Sequence, residues 1–296
     1  MAKQSTSARA RRRRASRSSA AKARQQRSGR LMWIAIVIVV VIGVALAVAA
    51  RGDSKTAAPR SPAPAALVAK VTSIPADVSA QVGAGTAKAF PKAISAPALN
   101  SGGKPRVVYM GAEYCPYCAT ERWAMVIALS RFGKFSGLST TTSSSIDTFP
   151  STHTFSFYGS TYSSPYLVFE PVELNTNQVA SDGGYKKLET PSAEQQQLMN
   201  TYDAPPYVSA TSNGAIPFID FGGKYMISGA TYDAAVLQGK SSDEIATALS
   251  DPTTAISQGA VGAANTMTAA LCNLTGDKPA ATCSNPTIQG LKSRLG

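Results

Sequence analysis

The sequence is poor in the residues that bind metal ions. It contains one histidine, His153, and four cysteines among its 296 residues. A structural zinc site takes four nitrogen or sulfur ligands, usually as two closely spaced pairs. The cysteines provide one such pair, and no second pair stands at a compatible spacing. We therefore expect no metal site and no cofactor.

Acidic residues are absent from the first thirty positions, which hold eleven lysines and arginines. The whole chain has 29 basic and 17 acidic residues, so its net charge of +12 belongs almost entirely to this basic tail, residues 1–30. A basic run attracts any polyanion, including nucleic acid. The tail has no aromatic side chain on which bases could stack. We therefore favour anionic lipid headgroups as its partner over nucleic acid.

Charged residues are also absent from residues 31–50, a run of twenty apolar positions. As a helix this run would be about 30 Å long, which matches the hydrocarbon thickness of a bilayer. A buried core helix is rarely apolar on every face, and a cleavable signal peptide usually has a shorter apolar region. We predict a single transmembrane signal-anchor helix. Because the positive charge precedes it, we expect a cytoplasmic N-terminus and an extracytoplasmic domain at a cell membrane.

Aromatic residues are missing from residues 51–74, which follow the apolar run. We interpret this stretch as a proline- and alanine-rich spacer. Residues 75–296 are long enough for one globular domain with a proper core. A composition that is 44% hydrophobic also excludes a wholly disordered chain.

The hydrophobic pattern of this domain predicts a mixed α/β fold. A short apolar run at residues 105–112 indicates a buried strand, and residues 119–131 have the spacing of a helix. Further along we predict a helix at residues 193–202 and a strand–turn–strand unit across residues 216–227. The composition between residues 232 and 274 favours helices.

The motif Cys115-Pro116-Tyr117-Cys118 is the sharpest chemical signal in the sequence. It follows the predicted buried strand and opens the predicted helix. Free N–H groups and the dipole at a helix N-terminus stabilise a thiolate, which is the reactive form of cysteine. We expect Cys115 to be the exposed, acidic thiol and Cys118 the buried thiol that resolves a mixed disulfide.

Two other interpretations of the motif stay open, a structural disulfide and half of a zinc site. A bridge between Cys115 and Cys118 would close a very small loop, so it would remove little entropy from the unfolded chain. A zinc site lacks its second pair of ligands. The strand–CxxC–helix context favours a redox pair.

Cys272 and Cys283 fit a structural disulfide. They flank a loop with glycine and proline that follows a predicted helix, and closing such a loop stabilises a protein by about 3 kcal/mol in the chain-entropy treatment. The alternative is a second redox pair that relays electrons. Neither cysteine lies at a predicted helix start, where a thiolate would be stabilised.

The motif, preceded by Glu113-Tyr114 and followed by a helix, resembles the active site of thioredoxin-fold proteins, and Cys-Pro-Tyr-Cys is common in glutaredoxins. Downstream, Ile216-Pro217 at the start of a strand resembles the second half of that fold. The resemblance implies that Pro217 is cis and faces the cysteines. It also implies that Ile216, Pro217 and Tyr117 contact a protein substrate.

The chain departs from a minimal thioredoxin in two ways. A long insertion, at about residues 139–212, separates the CxxC helix from the cis-proline strand, and its serine- and threonine-rich part favours strands and exposed loops. The buried acid of thioredoxin-fold enzymes, six residues before the first cysteine, is replaced by Tyr109. Proton transfer would then use another group, and Glu113 and Glu121 are the nearest acids in sequence.

A closer resemblance covers residues 111–123 and 129–133. These residues resemble a family of membrane-anchored, thioredoxin-like proteins of unknown function from actinobacteria and archaea. This resemblance implies a fold and a compartment rather than a reaction.

Together these features predict a membrane-tethered, extracytoplasmic thiol–disulfide oxidoreductase that acts on protein thiols and disulfides. Its expected partners are those proteins, the membrane lipid around residues 31–50 and a membrane redox partner. The rival hypothesis is a non-catalytic binding or scaffold module in which the same fold holds a structural disulfide. The sequence does not distinguish oxidation, reduction and isomerisation.

Overall fold

The computed structural model describes residues 58–295. The predicted basic tail, residues 1–30, and the predicted transmembrane helix, residues 31–50, lie outside the described residues. Within residues 58–295, no helix combines the length and the apolar character needed to cross a membrane.

The described chain mixes helices and strands, which confirms the α/β prediction. Its α-helices are α1 (Ala65–Thr72), α2 (Ala76–Val82), α3 (Pro116–Ser130), α4 (Ala193–Tyr202), α5 (Ser242–Ala248), α6 (Ala255–Thr275), α7 (Ala280–Cys283) and α8 (Pro286–Lys292). Its strands are β1 (Ser61–Pro62), β2 (Lys92–Ala93), β3 (Asn100–Ser101), β4 (Lys104–Gly111), β5 (Lys134–Ser136), β6 (Ser139–Thr142), β7 (His153–Ser156), β8 (Thr161–Ser163), β9 (Val168–Glu173), β10 (Asn175–Val179), β11 (Tyr185–Lys187), β12 (Phe218–Phe221) and β13 (Tyr225–Ser228).

Strand β4 lies inside the main sheet, with a neighbour on each side. It pairs antiparallel with β12 and parallel with β9, and β12 continues the sheet to β13 and β2. Residues Val107 to Met110 are 0% exposed because both faces of the strand are covered. The predicted strand at residues 105–112 and the strand–turn–strand unit at residues 216–227 are confirmed.

Helices cover the two faces of this sheet. Successive side chains of a strand point to opposite faces. Val107 and Tyr109 therefore join a large apolar cluster with α3 and α6, while Val108 and Met110 join a smaller cluster with α4. The predicted helix at residues 193–202 is α4, with the same bounds.

The segment between α3 and α4 does not form one inserted unit. Strands β6 and β7 form a small sheet with β1, and this sheet is attached to α3. Trp123 Nε1 donates to the His153 carbonyl oxygen at 3.0 Å, and Thr154 Oγ1 donates to the Ala119 carbonyl oxygen at 2.7 Å. The expected insertion at about residues 139–212 needs correction, because β9 and α4 within it bury apolar side chains in the central layers.

The folded domain begins before residue 75. Strand β1 and helix α1 lie within residues 51–74, which we predicted to be a spacer. Leu67 and Val71, four residues apart on one face of α1, are buried in the core. The spacer prediction is wrong for residues 61–72, because an alanine-rich composition suits a packed helix as well as a linker.

A disulfide closes the C-terminal part of the domain. Cys272, near the end of α6, is bonded to Cys283 at the end of α7, with Cα atoms 5.6 Å apart. The predicted pairing is confirmed. Both residues are 0% exposed, so the bridge lies inside the apolar cluster rather than on the surface.

Candidate functional site

The CxxC motif lies where strand β4 leads into helix α3. The strand ends at Gly111, and Cys115 is the N-cap residue immediately before Pro116, the first residue of the helix. Proline is tolerated at this position because the first N–H groups of a helix have no partner within it. The strand and the helix predicted on either side of the motif are confirmed.

The two thiols are close together and differ in acidity. The backbone N–H of Cys118 donates to Cys115 Sγ at 3.2 Å, which caps the helix. A hydrogen bond from the Cys118 side chain, this backbone N–H and the charge of Arg122 lower the pKa of Cys115, against the opposing effect of burial. Burial raises the pKa of Cys118. Cys115 is therefore the thiol that ionises first.

Neither thiol is freely exposed. Cys115 is 4% exposed and Cys118 is 0% exposed, so the prediction of an exposed Cys115 is wrong. The segment before β12 contacts Cys115, because the Cys115 Sγ donates to the Ile216 carbonyl oxygen at 3.6 Å. The most accessible side chain of the motif is Tyr117, which is 43% exposed and lies edge-on to Phe149 with ring centroids 6.2 Å apart.

The Ile216–Pro217 segment meets the motif from the far end of the sequence. Its peptide bond is cis. The Pro217 carbonyl oxygen accepts a hydrogen bond from the Gly229 N–H at 2.8 Å, which ties the start of β12 to the end of β13. The fold thus brings Ile216 to Cys115 across a separation of 101 residues.

Glu113 is held by groups other than the cysteines. It is 1% exposed, and its Oε1 accepts hydrogen bonds from Arg60 Nη1 at 2.7 Å and Ser156 Oγ at 2.6 Å. Arg60 belongs to the stretch that we predicted to be a spacer. Within the described chain no hydrogen bond joins Glu113 to a thiol. Its contacts fix the loop that leads into Cys115.

Glu121, the second acid predicted for proton transfer, is held by Thr231. It follows Cys118 by three residues and therefore lies on the same side of α3. It is fully buried and accepts hydrogen bonds from the Thr231 backbone N–H at 2.8 Å and the Thr231 hydroxyl at 2.9 Å. Burial raises the pKa of Glu121 to about 7, although both hydrogen bonds oppose the shift. Such a carboxyl group can hold or release a proton near neutral pH.

Sequence reasoning missed the buried ion pair of Arg122 and Glu173. Both side chains are 0% exposed, and Arg122 donates to Glu173 at 2.6 Å and 2.9 Å. Arg122 also donates to the Ala112 carbonyl oxygen, which in turn accepts the Cys115 N–H. The signal in the sequence was an arginine four residues after Cys118, directly before the apolar run of the helix. Its glutamate partner is 51 residues away and could not be inferred.

Tyr109 lies on strand β4, six residues before Cys115. Its ring packs edge-on to Phe157 with centroids 5.2 Å apart, and its buried hydroxyl has no hydrogen-bond partner among residues 58–295. Burial raises the pKa of Tyr109, so it remains a neutral phenol. Arg122 is therefore the charged side chain that lowers the pKa of Cys115.

A known protein family matches most of this domain. The match covers residues 91–273, from just before β2 to near the end of α6, and the family is described as a domain of unknown function, DUF929. The chain belongs to the DUF929 family. No curated protein and no solved structure matches it.

The DUF929 match contains both thiols and most of the site around them, but not Arg60, which binds Glu113. Strand β4, the CxxC motif, Glu173 and the cis proline all lie within residues 91–273. Of the disulfide, Cys272 lies inside the match and Cys283 lies beyond it. The central layers that position the thiols are thus the part shared with the family.

One group of described residues in this DUF929 chain could offer three ligand atoms to a metal ion: Cys272, Asp277 and Cys283. The two sulfurs are bonded to each other. A disulfide sulfur is not a thiolate, which is the form of cysteine that binds metals. The group is therefore a disulfide beside an exposed carboxylate.

Proposed function

We propose that this protein is a thiol–disulfide oxidoreductase that acts on protein thiols and disulfides outside the cytoplasm, tethered to a cell membrane by residues 31–50. Cys115 is the nucleophile and Cys118 the resolving thiol. The observation that carries the proposal is the position of Cys115 Sγ. It caps α3, accepts the Cys118 N–H at 3.2 Å and lies 3.6 Å from the Ile216 carbonyl oxygen.

The order of the elements supports a thioredoxin-like fold. Strand β4, helix α3 and strand β9 form a parallel strand–helix–strand unit, and β12, β13 and α6 follow as a hairpin and a helix. The thioredoxin fold has the same order, with the cis proline at the start of the hairpin. Ile216 and Pro217 would then present backbone to an extended substrate, beside the exposed ring of Tyr117.

Exchange begins when the Cys115 thiolate attacks one sulfur of a substrate disulfide. The substrate S–S bond breaks, one substrate sulfur leaves as a thiolate, and a mixed disulfide forms. Cys118 then loses its proton and attacks Cys115 Sγ, which releases the second substrate thiolate and leaves a Cys115–Cys118 disulfide. Overall, two electrons and two protons pass from the cysteine pair to the substrate. The reverse sequence oxidises a substrate dithiol.

Two buried groups assist these steps. The positive charge of Arg122 contributes to the lowered pKa of Cys115, so the nucleophile is more often ionised. Glu121, whose pKa is about 7, lies on the Cys118 side of the helix and accepts the proton that Cys118 must lose. A membrane redox partner would return the pair to its starting state.

The burial of Cys115 favours a second candidate, a binding or scaffold module with an inert disulfide. Recognition would then fall to the aromatic and serine-rich residues 149–169. Reduction potential separates the two candidates, because structural disulfides have potentials below about −300 mV. A redox titration of the Cys115–Cys118 pair that gives a higher value supports exchange.

The proposal is tested by trapping substrates in the native host. In the full chain, Cys118→Ser should accumulate mixed disulfides on Cys115, because the resolving sulfur is missing. The captured proteins are identified by mass spectrometry after separation without reductant. The matched control carries Cys115→Ser together with Cys118→Ser and should capture nothing. Equal yields from the two chains would support the scaffold instead.

A further inference from the structure

A cavity lies at the opposite end of helix α3 from the CxxC motif. The helix has 15 residues and is therefore about 22 Å long. The cavity lies beyond its last residue, has a volume of about 180 Å³ and is bounded by α2, α7 and α8. Its lining includes Ile74, Ser79, Arg131, Thr282, Thr287 and Ile288.

Arg131 is the charged residue of this lining. Its Nη1 donates to Thr268 Oγ1 at 2.6 Å and its Nη2 to Ser79 Oγ at 2.9 Å, and both acceptors are neutral hydroxyls. Among residues 58–295 no carboxylate forms an ion pair with Arg131, whereas Arg106 and Arg122 are each paired with glutamate. Burial lowers the pKa of Arg131 to about 10, which still leaves it charged at neutral pH.

The guanidinium has unused hydrogen-bonding capacity. An arginine side chain carries five N–H donors in a planar fork, and the described protein takes up two of them at Arg131. Arg131 is partly exposed to solvent and has no counter-charge among residues 58–295, and its fork matches the two oxygens of an oxyanion. We propose that this cavity binds a small carboxylate, whose oxygens accept hydrogen bonds from Arg131.

The remaining lining narrows the class of ligand. Thr282, Asn285 and Thr287 are neutral polar residues, and Ile74 and Ile288 give the cavity an apolar wall. With one cation in the lining, a doubly charged phosphate would be only partly neutralised. A monocarboxylate with a short aliphatic chain matches both the cation and the apolar wall of the cavity. Its head group binds the guanidinium and its chain contacts the isoleucines.

Titration of the full chain in detergent micelles tests the proposal. Butyrate should raise the melting temperature with increasing concentration and should give a calorimetric binding signal, because it binds the folded state. Inorganic phosphate, titrated separately, should do neither. Absence of a response to butyrate, or binding of phosphate in its place, overturns the assignment.

Two variants separate the cavity from non-specific effects of the anion. Ala281→Phe fills the cavity from its exposed rim while leaving Arg131 unchanged, and it should abolish the response to butyrate. Ala280→Phe, at the neighbouring exposed position outside the lining, is the matched control and should keep the response. Arg131→Lys retains the charge but loses the fork, so it should weaken butyrate binding at least about tenfold. Unchanged affinity in either Ala281→Phe or Arg131→Lys would contradict the proposal.

Discussion

The two cysteine pairs of this chain lie in different surroundings although all four residues are buried. Cys115 and Cys118 stand at the start of a helix, beside Arg122 and the free N–H groups of the first turn. Cys272 and Cys283 connect the ends of α6 and α7 within an apolar cluster. The first pair therefore has groups that stabilise a thiolate, whereas the second pair is joined as a disulfide.

This difference indicates that burial alone does not decide the acidity of a cysteine. A buried sulfur in apolar surroundings is inert, whereas charge and N–H donors can keep a nearly buried thiol acidic. Cys115 is only 4% exposed, yet its pKa is lowered. Its Sγ lies 3.6 Å from the Ile216 carbonyl oxygen, so the Ile216 segment is in contact with this thiol.

The largest expected effect on the difference between the two pairs comes from removing the proposed nucleophile, Cys115. Cys115→Ser should abolish disulfide exchange altogether while leaving the free energy of unfolding nearly unchanged, because serine can also cap the helix. The measurements are reduction of a protein disulfide in solution and denaturant unfolding. Exchange that survives in this variant would mean that Cys118 alone or the Cys272–Cys283 pair carries the chemistry.

The next largest effect should come from the ion pair behind the thiols. Glu173→Gln leaves the Arg122 charge buried without a counter-charge and should cost about 3–5 kcal/mol in the free energy of unfolding. Arg122→Met combined with Glu173→Leu should recover most of this loss in stability but raise the pKa of Cys115. The pKa is measured from the ultraviolet absorbance of the thiolate as the pH is changed. A double variant with the original Cys115 pKa would show that the pair serves the fold alone.

Removing the second cysteine pair should lower stability and leave exchange activity intact, which is the opposite of the result expected for Cys115→Ser. Cys272→Ser with Cys283→Ser should lower the free energy of unfolding by about 2–4 kcal/mol, because the unfolded chain regains the entropy of an open loop. Exchange at Cys115 should be largely retained in the folded protein. A double variant that keeps its stability and loses exchange would instead indicate an electron relay between the pairs.

The parts of the fold that could be predicted are those with a local signal. Strand β4 is a short apolar run, which indicates a buried strand. Helix α4 begins with a capping box of Ser192 and Gln195, so its start can also be identified from a few residues. Helix α1 was missed because its two buried residues, Leu67 and Val71, stand among alanines that also suit a spacer. The place of β9 beside β4 was missed because pairing between distant strands leaves no local pattern.

The candidate site also contains some residues that the sequence identifies and some contacts that only the packing of distant segments reveals. The CxxC spacing and the helix start identify Cys115 and Cys118 from the sequence, and the family resemblance supplied Pro217. The sequence could not show that Glu113 is held by Arg60, since that contact joins the domain to a stretch that looked like a linker. It also could not show that Arg122 has a counter-charge and Arg131 has none among the described residues, because both facts depend on packing between remote segments.

Glu121 provides the finest test of the difference between the pairs, because only the first pair has a buried acid on its helix face. Its pKa is about 7 in the folded protein against an ordinary value of 4.5. As the pH rises between these values, the unfolded chain loses this proton and the folded chain keeps it, so stability falls and then levels off. Glu121→Gln removes that fall and should be more stable than the wild type above neutral pH, by at most about 3 kcal/mol.

Denaturant unfolding across this pH range measures the thermodynamic effect, and rapid mixing measures the release of the mixed disulfide by Cys118. If Glu121 accepts the Cys118 proton, the variant should resolve the mixed disulfide more slowly and lose the dependence of that step on a group titrating near neutral pH. A variant with the altered stability profile and an unchanged resolution rate would contradict the proton-transfer role. The glutamate would then be a buried acid that costs stability without serving the thiols.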